Sequence, residues 1–271
     1  MKQPVLFVGH GSPMNALEDN EFSRQWERMG KELPRPDAIL CISAHWLTHG
    51  TAVTAMEKPR TIHDFGGFPP ELYQVSYPAP GKPGLAERVR ELVANTRAAT
   101  SGSEAGKVEV SLDQAWGLDH GTWSVLRRMY PKADIPVLQL SIDAGKPAAW
   151  HYSMGKHLKA LRDEGVLVVA SGNIVHNLGM IAWDRMDESG FGFDWALEFD
   201  AAIADCIQAG DDERIIHWEK LGKAAKLAVP TSDHFLPLLY ALGVRDPADA
   251  VQVFNGKAVA GSLTMTSYRW G

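Results

Sequence analysis

The sequence predicts an α/β fold: one domain spanning residues 1–271, with a central, mostly parallel sheet flanked by helices and a metal site at the carboxyl ends of the strands. Three observations carry this. Short apolar runs rich in β-branched residues alternate with stretches of helical spacing, as expected for strand-helix-strand units. Three of these runs end in a loop bearing a histidine: Val5–Gly9 leads to His10, Ile39–Ala44 to His45, and Val166–Ala170 through Ser171-Gly172-Asn173 to His176. Strand ends of an open α/β sheet share one crevice, which is where ligands bind. A chain of 271 residues is also long enough to bury one large core.

In chain order, Val5–Val8 reads as a buried strand and Ser12-Pro13-Met14-Asn15 as a turn. Phe22, Trp26, Met29 and Leu33 place an amphipathic helix over Asn20–Leu33, stopped by Pro34 and Pro36. Ala38–Ala44 is the second strand, with His45 at its exit, and Thr51–Met56 a third. From Pro59 to Pro83 the chain is dense in glycine, proline and aromatics, the composition of an ordered binding wall rather than a linker. Leu85–Val93 resumes helical spacing, and Ala98–Gly106 reads as an exposed polar stretch. A second glycine-aromatic loop, Gln114–Trp123, precedes a helix through Val125, Leu126 and Met129. Ile135–Ile142 is a strand, Pro147–Leu161 a helix and Gly165–Ala170 a strand. Trp195–Ile207 and Glu213–Leu221 read as helices, and Thr231 or Ser232 as an N-cap that places His234 in a first helical turn. Ala250–Phe254 and Ser262–Ser267 are read as closing strands joined through Asn255-Gly256, a hairpin signal.

A net charge of −6 argues against nucleic acid or an anionic membrane surface as the main partner, since both select a basic face. Two cysteines are too few for a disulfide framework, so both read as reduced core residues of a cytoplasmic protein. The apolar run before Gly9 is too short for a signal h-region, and none approaches the ~20 residues of a membrane-spanning helix. Oligomeric state leaves no mark in the pattern.

Among ten histidines, His49, His151, His157 and His217 sit in helix-like or exposed polar contexts and read as ordinary residues. His10, His45, His176 and His234 lie past strand ends or at a helix start, flanked by Gly, Ser, Asn or Pro. Neutral imidazole is a common ligand of zinc and iron, so four such histidines point to a metal site. No H-E-x-x-H spacing is present, which leaves a zinc-dependent hydrolase, an iron oxygenase and a non-catalytic metal-binding protein open at this point.

Six blocks carry a further signal: Gly9-His10-Gly11-Ser12-Pro13-Met14, Ser43-Ala44-His45-Trp46, Ile62-His63-Asp64-Phe65-Gly66-Gly67-Phe68-Pro69, Asp119-His120-Gly121-Thr122-Trp123, Ala170–Asn177 and His234-Phe235-Leu236-Pro237-Leu238. Together, in this order and across essentially the whole chain, they resemble the DOPA 4,5-dioxygenase type of class III extradiol ring-cleaving dioxygenase, a group that includes the catalytic chain of protocatechuate 4,5-dioxygenase. The resemblance implies an enzyme that uses Fe(II) and O2 to open a substituted, DOPA-like catechol next to its two hydroxyls. It implies His10, His45 and His234 as metal ligands, His176 as a fourth ligand or a base beside the metal, and His120 as the acid/base residue near O2. Asp119 is weighed both as an orienter of His120 and as a helix cap.

The aromatic loop supplies His63, Phe65 and Phe68 as a substrate wall, with His63 a candidate donor to the substrate's polar tail. Extradiol enzymes commonly combine two histidines with one carboxylate. Here His234, with Asp233 beside it, stands at the third position, and an all-histidine set also suits Zn(II). The zinc-hydrolase and binding-protein readings remain as alternatives. Retention of all the histidine blocks speaks against a decayed site.

Overall fold

The computed structural model describes residues 1–94, 108–186 and 188–271. The strands, in chain order, are β1 (Val5–Gly9), β2 (Ala38–Thr48), β3 (Thr51–Thr54), β4 (Val110–Asp113), β5 (Val137–Asp143), β6 (Val166–Gly172), β7 (Val251–Phe254), β8 (Ala258–Val259), β9 (Leu263–Thr264) and β10 (Ser267–Trp270). The helices are α1 (Glu21–Glu32), α2 (Pro70–Tyr73), α3 (Pro83–Ala94), α4 (His120–Met129), α5 (Ala148–Leu158), α6 (Asp194–Ala209), α7 (Asp212–Ile216), α8 (Lys223–Ala228) and α9 (Leu236–Val244). The exposed stretch expected over Ala98–Gly106 lies outside the described residues.

The main sheet runs β4-β3-β5-β2-β6-β1-β10-β7. Its centre is parallel: β6 pairs with both β1 and β2, and β2 pairs with β5. The antiparallel pairings of β3 with β5 and of β10 with β1 and β7 lie toward its edges. Central parallel strands are covered on both faces, which is why they read as continuous apolar runs instead of alternating ones. Leu6, Val8, Ile39, Cys41, Leu167 and Val169 face one layer, packing with Trp26 and Met29 of α1 and Trp123 and Leu126 of α4. Val5, Phe7, Leu40, Ile42, Val168 and Ala170 face the other, with Val89 of α3, Met154 of α5, Ile203 of α6 and Leu239 of α9. The expected central, mostly parallel sheet flanked by helices is the one observed.

Several expectations change in detail. The strand carrying His45 does not end before it: β2 continues to Thr48, but its register with β5 shifts between Ile42 and Leu47, and its pairing with β6 stops at Ser43. A break of this kind re-aims side chains away from the sheet's alternation. The helix expected over Glu213–Leu221 is divided at His217, which caps α7, and only a 3-10 turn over Trp218–Lys220 follows before Gly222, at φ +116°, starts α8. His234 is not in a first helical turn. α9 starts at Leu236 with Phe235 at its N-cap, and the His234 carbonyl accepts instead from the Asn173 amide.

Asn255-Gly256 does not join β7 directly to its partner. Phe254 pairs with Ser267, and the intervening chain makes a separate small hairpin of β8 and β9, turning through Ala260 and Gly261 at positive φ. Asn173 and Val175 draw that excursion inward, through Asn173 Nδ2 donating to the Thr264 carbonyl and the Thr264 amide donating to the Val175 carbonyl.

Candidate active site

Five histidines from distant parts of the chain converge at the carboxyl ends of the central strands. His10 follows β1, His45 lies in the register break of β2, His120 is the first residue of α4, His176 follows β6 and His234 precedes α9. Ring centroids of His10 lie 5.0 Å from His45, 5.6 Å from His120 and 5.3 Å from His234. His45 is 3.8 Å from His120 and 5.0 Å from His234. His176 stacks flat on His234, at 3.5 Å and an interplanar angle of 6°. Glycines permit the approach: a Cβ on Gly121 would stand 2.5 Å from Ser43 Oγ and 3.0 Å from the His45 ring, and one on Gly172 would stand 2.1 Å from the His234 carbonyl oxygen.

The surroundings favour one tautomer for four of the five rings, His10, His45, His120 and His234. Ser171 Oγ donates to the Gly121 carbonyl at 2.5 Å, so it accepts from His10 Nδ1–H at 3.0 Å, leaving His10 Nε2 with a lone pair. Asp233 takes the Nδ1–H of His234. His234 Nε2 is then a buried nitrogen with no partner. Asp64 accepts from the His120 amide at 2.9 Å and from His120 Nδ1–H at 3.0 Å, and the same Oδ2 lies 3.4 Å from His45 Nδ1. In all four rings the Nδ1 side faces an oxygen and the Nε2 side is left as donor of electrons, the second-layer arrangement usual around metal-ligating histidines.

Burial, then the neighbouring imidazoles, hold His10 and His45 well below the ordinary histidine range, and burial followed by His234 brings His176 down to about 3. These three rings are therefore neutral at pH 7. Burial alone would raise Asp64, but its bonds to His120 and the nearby His45 outweigh that and keep it below the ordinary carboxylate value.

This donor set fits a metal ion. His10 Nε2 and His45 Nε2 face each other at 3.0 Å, and two lone pairs at that distance repel unless a cation is shared between them. Nitrogens bound at right angles to one ion at ~2.0–2.1 Å lie about 3 Å apart. Among the described residues, two groups of three have ligand atoms close enough to hold an ion: His10, His45 and His120, and His176, Asp233 and His234.

The aromatic loop lies against this cluster. Phe65 is 5.5 Å from the His120 ring, edge to face, and packs with Phe68 at 5.3 Å and Tyr73 at 5.2 Å. His63 Nε2–H donates to the Val75 carbonyl at 3.0 Å, so this donor is already committed to holding the loop. Trp123 is core, with its indole N–H on the Ile62 carbonyl, while Trp116 stacks on Trp46.

Asp119 is the helix cap of the two roles weighed for it. It accepts from the Thr122 amide, from Ser43 Oγ at 2.7 Å and from Gln139 Nε2 at 2.6 Å. The orienter of His120 is Asp64, which sequence reasoning passed over although it sits between His63 and Phe65. Asp233 likewise backs His234 from the adjacent position. A carboxylate inside an apolar glycine-aromatic loop was the available signal for Asp64, since such a group must find a partner.

Residues 4–267 match the family model described as the catalytic LigB subunit of aromatic ring-opening dioxygenase. The chain is 50% identical to the 4,5-DOPA dioxygenase extradiol of Escherichia coli K12, over 100% of this chain and 95% of that protein. It is 36% identical to the protein of the same name from Beta vulgaris, over 98% and 96%. Among solved structures, uncharacterized protein JW3007 from Escherichia coli K12 superposes with a TM-score of 0.83 at 44% identity, covering 99% of this chain and 100% of that one.

Proposed function

This chain belongs to the family of catalytic LigB subunits of aromatic ring-opening dioxygenases, and from that premise we propose that it opens a substituted, DOPA-like catechol with O2 beside the two hydroxyls. The observation that carries this reading is the five-histidine cluster with an aromatic wall at its edge. The family match favours ring opening over a zinc hydrolase or a binding role.

In this proposal His10, His45 and His234 hold the metal through Nε2. The unpartnered, fully buried Nε2 of His234, with its Nδ1 side backed by Asp233, supports its place in the set. Imidazole ligands suit Fe(II) and Zn(II) alike. We take Fe(II) as the working metal because zinc has no redox chemistry, with Zn(II) able to occupy the same nitrogens. Bound there, the metal would lower the pKa of a catechol hydroxyl and supply the redox centre for O2.

The protein's own groups do the rest. His120 would take a proton from the catechol at Nε2 and return it as the ring opens, while Asp64 holds its Nδ1 side throughout. His176 acts as a second base. Its flat stacking on His234 speaks against both rings binding one ion, because a ligand nitrogen addresses the metal in its own ring plane and these planes are parallel. Phe65 and Phe68 form the wall that meets the substrate ring and keeps water from His120, and His63 fixes that wall through Val75. The substrate and O2 are the partners of this reading; no nucleic acid enters it. Among the described residues no helix is long and apolar enough to cross a membrane, and we place the protein in the cytoplasm.

The test is O2 uptake with absorbance recorded in parallel, on metal-stripped protein loaded anaerobically with Fe(II) and given a catechol panel that includes DOPA. The expected result is stoichiometric uptake with a new yellow ring-opened chromophore that zinc-loaded protein does not give. Tight binding of one metal with no uptake on any catechol would overturn the reading.

A further inference from the structure

One carboxylate serves two of the site's imidazoles. Asp64 Oδ1 accepts the backbone N–H at the start of α4, while Oδ2 faces His120 Nδ1 at 3.0 Å and His45 Nδ1 at 3.4 Å. The carboxylate is thus shared between a residue proposed to hold the metal and the residue proposed to move the proton. It also lies one residue before Phe65, so the same loop that builds the substrate wall delivers the group that sets the rings.

We propose that Asp64 is a positioning residue that holds both His45 and His120 in the Nδ1–H tautomer, coupling metal retention to proton transfer through a single side chain. Among the described residues, neither ring's nitrogen pair has another oxygen partner: the other contact of His45 is His10 Nε2, and the His120 ring bonds Asp64 alone. A carboxylate only accepts, so the bond at 3.0 Å places the hydrogen on His120 Nδ1, and the charge 3.4 Å from His45 Nδ1 favours a hydrogen there as well, leaving both Nε2 atoms as electron donors. The inference rests on the dioxygenase reading for its consequence in turnover, but the tautomer assignment stands independently of the reaction.

The experiment compares Asp64→Asn with Asp64→Glu. Asparagine keeps the shape and can still accept the His120 amide through Oδ1, so a merely structural anchor would survive. Its NH2 group, however, would face His120 Nδ1 as a donor and favour the Nε2–H form, which can no longer take a proton there. Ring nitrogen NMR on metal-free, histidine-labelled protein reads the tautomer directly. Turnover at saturating catechol is then measured with the metal fully loaded.

We expect Asp64→Asn to switch His120 to the Nε2–H tautomer, to weaken metal retention, and to lower kcat ~10–100-fold, the usual effect of losing an outer-layer partner, with KM little changed. Asp64→Glu, which restores a carboxylate, should keep the Nδ1–H tautomer and regain part of kcat. An unchanged His120 tautomer in Asp64→Asn, or a kcat within about twofold of the parent, would overturn the proposal. If Asp64→Asn does not fold, an Nε2–H tautomer for His120 in the parent or in Asp64→Glu would overturn it by itself. Should the parent open no catechol at all, the functional reading fails while the NMR comparison still decides the role of Asp64.

Discussion

Whether a histidine is a neutral electron donor or a charged surface group is decided by the atoms on its Nδ1 side and by its burial. His10, His45, His120 and His234 each present Nδ1 to Ser171, Asp64 or Asp233, so their Nε2 atoms are prepared before any ion arrives. His151 shows the same physics away from the site. It is fully buried, its Nε2–H donates to the Lys146 carbonyl at 3.3 Å, and its Nδ1 accepts from the Tyr240 hydroxyl at 3.0 Å.

Burial pushes His151 down to about 4, against the contrary pull of Lys146 and Asp143. The sign follows: the unfolded chain binds the proton near pH 6.5, the folded one only near 4, so stability present above 6.5 is lost as pH falls between those values. The loss is on the order of 3 kcal/mol for this group. Thermal melts of His151→Gln should therefore show a shallower fall from pH 6.5 to 4 than the parent, and parallel profiles would remove His151 from the acid sensitivity.

At the scale of elements, the site depends on how closely α4 approaches β2. Gly121 is the contact point, since an added Cβ would meet Ser43 Oγ and the His45 ring. Gly121→Ala should cost ~1–3 kcal/mol by overpacking and also displace His45. The expected outcome is a lowered melting temperature together with weaker metal retention; a stable variant with unchanged metal content would show that β2 yields without moving its histidine.

The elements themselves were largely legible. Apolar runs located the central strands, and Asn20 and Leu33 bound the first helix, here as its two caps. Less legible were features set by pairing between distant segments. The register break that aims His45 depends on β5, and the position of His234 outside its helix depends on Asn173, neither of which is visible in local pattern. The β8–β9 excursion defeated a sound hairpin signal at Asn255-Gly256 because Thr264 bonds to the segment after β6.

Over the whole molecule, a parallel sheet covered on both faces leaves one edge of its strands open to function, and the histidines gather there from positions 10 to 234. Their gathering was foreseeable because each lay beside a strand end or a presumed cap. The division of labour among them was not, since it rests on ring planes and on carboxylates reaching from other loops. The opposite region is held by Arg162, which is buried and binds Asp249 together with the carbonyls of Gln3, Val244 and Trp270, tying the two ends of the chain to the body of the fold.

The central claim is that His234, not His120, completes the metal set, although His120 lies as near to His10 and His45. The most direct test is metal content of His234→Ala and His120→Ala after identical Fe(II) loading, with O2 uptake on a catechol measured alongside. The account predicts that His234→Ala retains little metal, and that His120→Ala keeps a full equivalent while losing turnover ~10²–10⁴-fold, the range of a lost general acid/base. Metal retained in His234→Ala but lost in His120→Ala would contradict it and assign the ion to His10, His45 and His120.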